Sequence, residues 1–420
     1  MANIFASRQP YNVGDAISTG FVYEPKPGAV DGRAIRQNVP PYNGATFTPG
    51  STLMFNIPTS RPNHFLNGRM TYIKFTINNT DAETAAPDYI ADSVFQSLTL
   101  YHGSNQLENR REYGVWSMVE RDMFPTANKQ RVYQGQHAAT ARTGISITAS
   151  GGTLVVCMPL LSGLVGKSAP KYLPTFAMTG GDLRLEMELA STANGLFHDT
   201  AETDWTLSNV ELILEYGELT PSATAAIMQA YPDFVFSFDT IEQSAQTLTA
   251  GATSYQILIP ARYSRLKALY STFRKTANIG TALAKSVSQR MAPPNMTSWY
   301  YSVGGVHFPP TPVGGYIETA AEVVKTFHGL GDEEDWNLNL AQWATTTYSA
   351  SADYGFLVAQ DMEWLTQKSD SAISGIDTKT LDSYLIMSFS SAFSSNLSVD
   401  NFAQFDATGY VRNGTFDIRR

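Results

Sequence analysis

Residues Asp182–Ala190 read DLRLEMELA, where Leu183, Leu185, Met187 and Leu189 alternate with Arg184, Glu186 and Glu188. A period of two puts the four apolar side chains on one face of an extended chain, so this stretch fits a half-buried strand and no helix. The same texture recurs along the sequence. TLMFNI (Thr52–Ile57), RMTYIKFTIN (Arg69–Asn78), GTLVVCMPLL (Gly152–Leu161) and WTLSNVELILEYGEL (Trp205–Leu219) fill the first half. FVFSFDTIEQ (Phe234–Gln243), TSYQILIPA, RLKALYSTFRK, TSWYYSVGGVHF, DYGFLVAQDMEW and DSYLIMSFSSAF fill the second. LSVDNFAQFDATGYVRNGTFDIR (Leu397–Arg419) ends the chain, and its turn signals at Ala407–Gly409 and Arg412–Gly414 predict a hairpin or meander. Many short strands separated by Gly- and Pro-bearing turns define an all-β chain.

One stretch departs from this texture. In DSVFQSLTLYHGSNQLENRREYGVWSMVERD (Asp92–Asp122) a strand breaks at Gly103-Ser104-Asn105. Tyr113, Trp116, Val119 and Glu120 then fall three or four apart, which predicts a short helix packed onto the strands through Tyr113 and Trp116. Two other segments read as helices. IETAAEVVKTFH (Ile317–His328) places Ala320, Val324 and Phe327 on one side. PSATAAIMQAY has Pro221 suited to a first turn, and Tyr231-Pro232 stops it. That helix divides the chain: an extended arm over residues 1–50, a first sandwich over 51–220, a helical linker over 221–231 and a second sandwich over 232–420. A weak echo supports duplication, since Leu207-Ser208 and Leu397-Ser398 each open a strand near the end of a half.

Composition narrows the function. Of 420 residues, 43% are hydrophobic but only 16% charged, below the usual ~25%, which suits a β protein burying much of its surface. The net charge of −9 argues against a genome-condensing coat, and the arm dilutes Arg8, Lys26, Arg33 and Arg36 with Asp15, Glu24 and Asp31. Cys157 is the single cysteine, so no intrachain disulfide forms, and its apolar surroundings predict a buried, inert thiol. No eighteen-residue apolar span and no signal-peptide pattern occurs. N-x-[ST] triplets at Asn78, Asn295, Asn396 and Asn413 are expected by chance in a chain this rich in Ser and Thr.

No catalytic constellation emerges. The six histidines (64, 102, 137, 198, 307, 328) are scattered without metal-ligand spacing, and Asp332-Glu333-Glu334-Asp335 lacks the alternating oxygens of a calcium loop. Catalytic residues, metal ligands and cofactors are therefore assigned to none. Between Gln243 and Ile317 there is no Asp or Glu, while Arg262, Arg265, Lys267, Arg274, Lys275, Lys285 and Arg290 all fall there. This basic stripe reads either as solvated strand faces or as a surface at a subunit junction or particle interior. Its candidate partners are the Asp332–Asp335 loop of a neighbouring subunit, a genome or anionic headgroups. The polar stretch Pro125–Ser150 is long for a loop in a compact domain and is a candidate for contacts between subunits.

VFQSLTLYHGSNQLENRREYGVWSMVERDM resembles the strand–turn–helix segment of the first jelly roll in double jelly-roll major capsid proteins. That lineage includes polinton-like viruses, virophages and adenovirus-like double-stranded DNA viruses. MPLLSGLVGKSAPKYLPTFAMTGGDLRLEMELA is similar to the stretch that follows there, and ISGIDTKTLDSYLIMSFSSAFSSNLSVDNFAQFDATGYVRNG to the closing strands. The resemblance implies two eight-stranded antiparallel jelly rolls in tandem with a few short helices. It also implies homotrimeric, pseudo-hexameric capsomers tiling an icosahedral virion assembled inside a host cell, with neighbouring capsomers, penton and minor capsid proteins as partners. The stripe would then meet an internal membrane or the genome. The alternative is a β-sandwich binding protein, lectin-like or a receptor-binding spike, marked by a concave cluster of aromatics and carboxylates. A jelly-roll glycosidase would need a carboxylate pair facing one cleft.

Overall fold

The computed structural model describes residues 32–59, 61–123, 139–140, 143–191, 195–198, 204–281, 285–328, 343–344, 346, 354–363 and 375–420. Eight main strands build the first half, besides short two- and three-residue pieces: β1 (Gly32–Val39), β2 (Thr52–Ile57), β3 (Tyr72–Asn79), β4 (Phe95–His102), β5 (Asn105–Arg111), β6 (Thr153–Pro159), β7 (Leu183–Leu189) and β8 (Trp205–Leu219). Helix α1 (Tyr113–Met123) follows β5, and α2 (Pro221–Ala230) follows β8. The second half repeats the plan. Its strands are β9 (Phe234–Leu248), β10 (Ser254–Ile259), β11 (Leu266–Lys275), β12 (Met296–Val303), β13 (Val306–Gly314), β14 (Val358–Asp361), β15 (Ser383–Phe389) and β16 (Leu397–Arg412). Helix α3 (Gly315–His328) follows β13, and β17 (Thr415–Arg419) folds back on β16.

Hydrogen bonding joins the first-half strands in the orders β1-β8-β3-β6 and β2-β7-β4-β5, and the second-half strands as β9-β16-β11-β14 and β10-β15-β12-β13. Counted within each half, both sets read first-eighth-third-sixth and second-seventh-fourth-fifth. Two four-stranded sheets interleaved this way are a jelly roll, so the chain carries two eight-stranded jelly rolls in tandem. The sequence echo falls on equivalent strands, with Leu207-Ser208 in β8 and Leu397-Ser398 opening β16.

Alternation sets the core. In β7 every second residue from Leu183 to Leu189 is buried, and β15 repeats the pattern from Ser383 to Phe389. Leu185 and Leu385, both third in their strands, are fully buried. The hairpin β12–β13 turns at Gly304 and Gly305, both at positive φ (56° and 85°), as a two-residue turn between twisted strands requires. Helix α2 starts where Pro221 allows it, and the Thr220 hydroxyl accepts from the Ala223 amide at 3.4 Å.

Several expectations are corrected. Gly32–Val39 falls within the expected arm, but it is hydrogen-bonded along β8 from Leu219 to Leu212 and belongs to the first sandwich. Its polar sequence, GRAIRQNV, hides it because an edge strand largely exposed to solvent needs little apolar alternation. Cys157 is exposed, since β6 turns Thr153, Val155 and Cys157 outward and Val156 and Met158 inward. The loop expected over Pro125–Ser150 lies largely outside the described residues. Where it is described again, Ile147 is buried and bridges Ala85.

Because successive strands run antiparallel, the connections sort to two ends. One end gathers the starts of β1 and β9, the finishes of β8 and β16, helix α2 and the second-to-third, fourth-to-fifth and sixth-to-seventh connections. The opposite end gathers the remaining connections, including α1 and α3. We call them the terminal end and the helical end.

Candidate functional site

The most heavily built region is the seam between the two jelly rolls, and α1 is its wedge. Ten of its eleven residues have assigned burial, all of them buried, so it is covered all round as only a helix packed on two sides can be. One side faces its own sandwich. The Tyr113 hydroxyl accepts from the Leu161 amide at 2.9 Å, its ring meets Phe95 at 6.1 Å, and Ser117 Oγ donates to Asp92 Oδ1 at 2.8 Å. The other side faces the second half, where Trp116 lies 5.2 Å from Tyr270 and 5.1 Å from Phe402. Trp116 thus packs across the seam, whereas its spacing predicts contact with its own strands.

Buried charge completes the helical end. Arg290 and Asp122, both fully buried, form an ion pair from one half to the other, and the Tyr89 hydroxyl also donates to Asp122 at 3.2 Å. Arg274 donates from Nε to Asp400 at 2.7 Å and reaches Glu112, just before α1, at 3.0 Å. Burial opposes the Arg274 charge, but the Asp400 and Glu112 carboxylates outweigh it and hold the guanidinium protonated beyond its ordinary range. Asp88 accepts from the Val287 and Ser288 amides at 2.7 and 3.1 Å and from the Ser288 hydroxyl at 2.5 Å. Nearer the middle, buried Glu108 accepts from Arg110 at 2.9 Å, from the Gly163 amide at 2.8 Å and, across the seam, from Thr240 Oγ1 at 3.1 Å. A carboxylate with this many donors is compensated for the loss of water.

The terminal end is sewn by backbone. The Phe416 amide of β17 donates to His102 Nδ1 at 3.1 Å, and the Gly180 amide donates to the Gly414 carbonyl at 2.8 Å. Burial lowers the His102 pKa, the direction that suits a ring nitrogen accepting a hydrogen bond.

The basic stripe therefore does not form one continuous surface. Arg274, Lys285 and Arg290 are buried, and Lys285 crosses the seam to lie 5.6 Å over the Phe197 ring. Lys267, at a bulge in β11, sits among Asp239 at 3.0 Å, Glu363 at 3.6 Å and Asp406 at 3.7 Å. Arg265 is 3.8 Å from Asp406, and exposed Arg262 is 2.9 Å from Asp382. Lys275, half-buried, closes β11. The local absence of acids misleads because the partner carboxylates come from elsewhere in the chain: Glu112, Asp122, Asp239, Glu363, Asp382, Asp400 and Asp406. The expected acidic partner, Asp332, Glu333, Glu334 and Asp335, lies outside the described residues.

Asp239 and Asp406 share a hydrogen bond beside Lys267. Burial, the Asp239 hydrogen bond and the Asp239 charge push Asp406 up to about 7, whereas the same bond and Lys267 outweigh burial to hold Asp239 low. Burial also raises nearby Asp361 to about 6. Among the described residues no group of three His, Cys, Asp or Glu side chains could hold a metal, and no helix is long and apolar enough to cross a membrane. The buried carboxylates Asp88, Glu108 and Asp122 escaped sequence reasoning; the one available sign was Asp122 ending a helix with an apolar stripe.

No protein-family profile matches the chain, and no curated protein matches it. Solved structures do. PBCV-1 VP54, in a crystal structure fitted into the virophage Sputnik, matches with a TM-score of 0.68 at 10% identity, covering 96% of this chain and 100% of that one. A chain of the Sputnik virophage structure matches with a TM-score of 0.58 at 13% identity, covering 100% and 94%. The mavirus major capsid protein matches with a TM-score of 0.57 at 9% identity, covering 98% and 95%. At such identities the likeness is one of architecture, and it agrees with the strand order found in each half: the chain has the double jelly-roll fold of these viral major capsid proteins.

Proposed function

We propose that this protein is a major capsid protein whose homotrimers form pseudo-hexameric capsomers of an icosahedral virion. The observation that carries the reading is the repetition of one strand order in two sandwiches locked by a buried seam. A chain built this way offers two equivalent sandwiches in fixed relation, so three copies supply six units around a threefold axis. Likeness over nearly the whole length of capsid subunits supports it. The proposed division is an arm before β1, a first jelly roll through β8, α2 as linker and a second jelly roll from β9. Partners would be two further copies, neighbouring capsomers, and penton and minor capsid proteins, in a particle assembled inside a host cell. With Arg274, Lys285 and Arg290 buried, the stripe offers less support for a contact with genome or membrane. No catalytic step belongs to this role.

Sedimentation of the purified protein tests it. A particle of three times the 46.0 kDa chain mass, or larger arrays, is the expected result. A monomer at all concentrations that binds a glycan would favour the lectin-like alternative instead.

A further inference from the structure

At the terminal end an apolar groove of about 680 Å³ opens where the two jelly rolls meet. Gly32, Arg33 and Ala34 of β1 line one side, Phe234, Val235 and Phe236 of β9 another, with Ile227 and Tyr231 from the linker. Behind the lining, Phe176 links two of its aromatic rings, lying 4.9 Å from Phe65 and 5.8 Å from Phe234. The rim leaves large apolar side chains in water: Tyr172 is 58% exposed, Tyr231 62% and Val235 55%. Clustered exposure of this kind marks a surface that something covers.

We propose that the occupant is the chain's own N-terminal segment, residues 1–31. The described chain begins at Gly32, which is itself part of the groove wall, so the preceding residues are delivered to this place. Among the described residues β1 pairs only with β8, which leaves its other edge with unpaired amides and carbonyls. An extended segment laid along that edge gains main-chain hydrogen bonds while its side chains enter the groove. The sequence suits the task. Phe21, Val22 and Tyr23 supply apolar bulk, and Pro25 and Pro27 disfavour helix between them and β1. Tyr23 is nine positions before Gly32, a reach of up to about 30 Å. The rim charges are mixed, with Lys171, Arg33, Glu215 and Glu218, and so are those of the segment, with Glu24, Lys26 and Asp31. This inference stands apart from the capsid reading, because a monomer could fill its groove equally well.

Hydrogen exchange with mass spectrometry on the full chain and on a form lacking residues 1–28 tests it. Removal of the segment should speed exchange at residues 33–37 and 231–236 by about tenfold or more, as expected when an edge loses its partner. Adding a synthetic peptide of residues 1–31 should restore slow exchange, and a peptide with Phe21→Asp and Tyr23→Asp should not. A second full-length variant, Ile227→Asp, keeps the arm but spoils the groove and should expose residues 20–24. Circular dichroism confirms that each form is folded. Unchanged exchange after truncation, or equal restoration by the altered peptide, would overturn the proposal. Protection that follows protein concentration alone, with or without the segment, would also overturn it by assigning the groove to a second copy.

Discussion

Helices α1 and α3 occupy the same place in their jelly rolls, after the fifth strand, yet they do different work. Helix α1 leaves its own sandwich to become a wedge, buried all round and joined to the second half by Trp116, Asp122 and the preceding Glu112. Helix α3 stays at home. Thr319, Val323 and Thr326 face inward, the Trp299 indole donates to Thr319 Oγ1 at 2.8 Å, and Ile317 is left 71% exposed. Duplication supplies two equivalent positions; a seam arises when one is given over to binding the other half. The difference lies in side chains and not in strand order, which is why the two halves share a topology while only one helix is encased.

The comparison can be broken first at the strands the halves share. Leu185→Asp and Leu385→Asp each place a charge in a fully buried site of an equivalent strand, and each should prevent recovery of soluble folded protein. Because the seam couples the halves, either substitution should abolish the structure of both, as read by protease resistance of fragments. Survival of the undamaged half on its own would show that the halves fold independently.

The next test separates the helices. Trp116→Ala should cost about 3–5 kcal/mol in chemical denaturation and split one unfolding transition into two, because it removes packing between halves. Asp122→Ala should cost about 3–5 kcal/mol by removing a buried carboxylate that pairs with Arg290 across the seam. The exposed Glu322–Lys325 pair on α3 gives the contrast. Lys325→Ala there should change stability by less than about 1 kcal/mol. Equal effects at the two helices would remove the distinction between wedge and cap.

The smallest expected effect is of pH. Asp406, held protonated to about 7, and Asp361, to about 6, have folded pKa values above the ordinary 3.8. A carboxyl raised in this way contributes stability below its unfolded pKa, and that contribution is lost as pH rises through the folded value. Asp239 is shifted the other way, so its contribution is lost only in acid, below the carboxylate range. Between about pH 4 and 7 the melting temperature should therefore carry a downward component with rising pH, and Asp406→Asn should flatten it. Identical slopes in the two proteins would refute the assignment.

The parts legible in the sequence are those in which one face of an element is buried. β7, β15 and the closing β16–β17 hairpin show plain alternation, and α2 shows a capping Thr, a first-turn Pro and a stop. Edge strands with polar or proline-rich sequences are harder to see. β1 and β13 each lie at the rim of a sheet, and their sequences GRAIRQNV and VHFPPTPVG carry the polar residues and prolines that an exposed edge tolerates, whereas NQLENRR of β5 is polar at a rim the second half covers, where Glu108 and Arg110 pair. The seam was illegible for another reason. Arg290 and Asp122 are 168 positions apart and Arg274 and Glu112 are 162 apart, so local charge counting sees a basic stripe where the fold places ion pairs. Trp116 announces a buried helix face, but nothing in its spacing says which sandwich receives it.

Imaging the assembled protein by electron cryomicroscopy, at a resolution that separates sheets, tests the central claim most directly. The account predicts capsomers of pseudo-hexagonal outline containing three chains, with six upright sandwiches and the α1 seam inside each chain. Particles built from a different number of copies, or chains whose two sandwiches sit apart with α1 facing solvent, would contradict it.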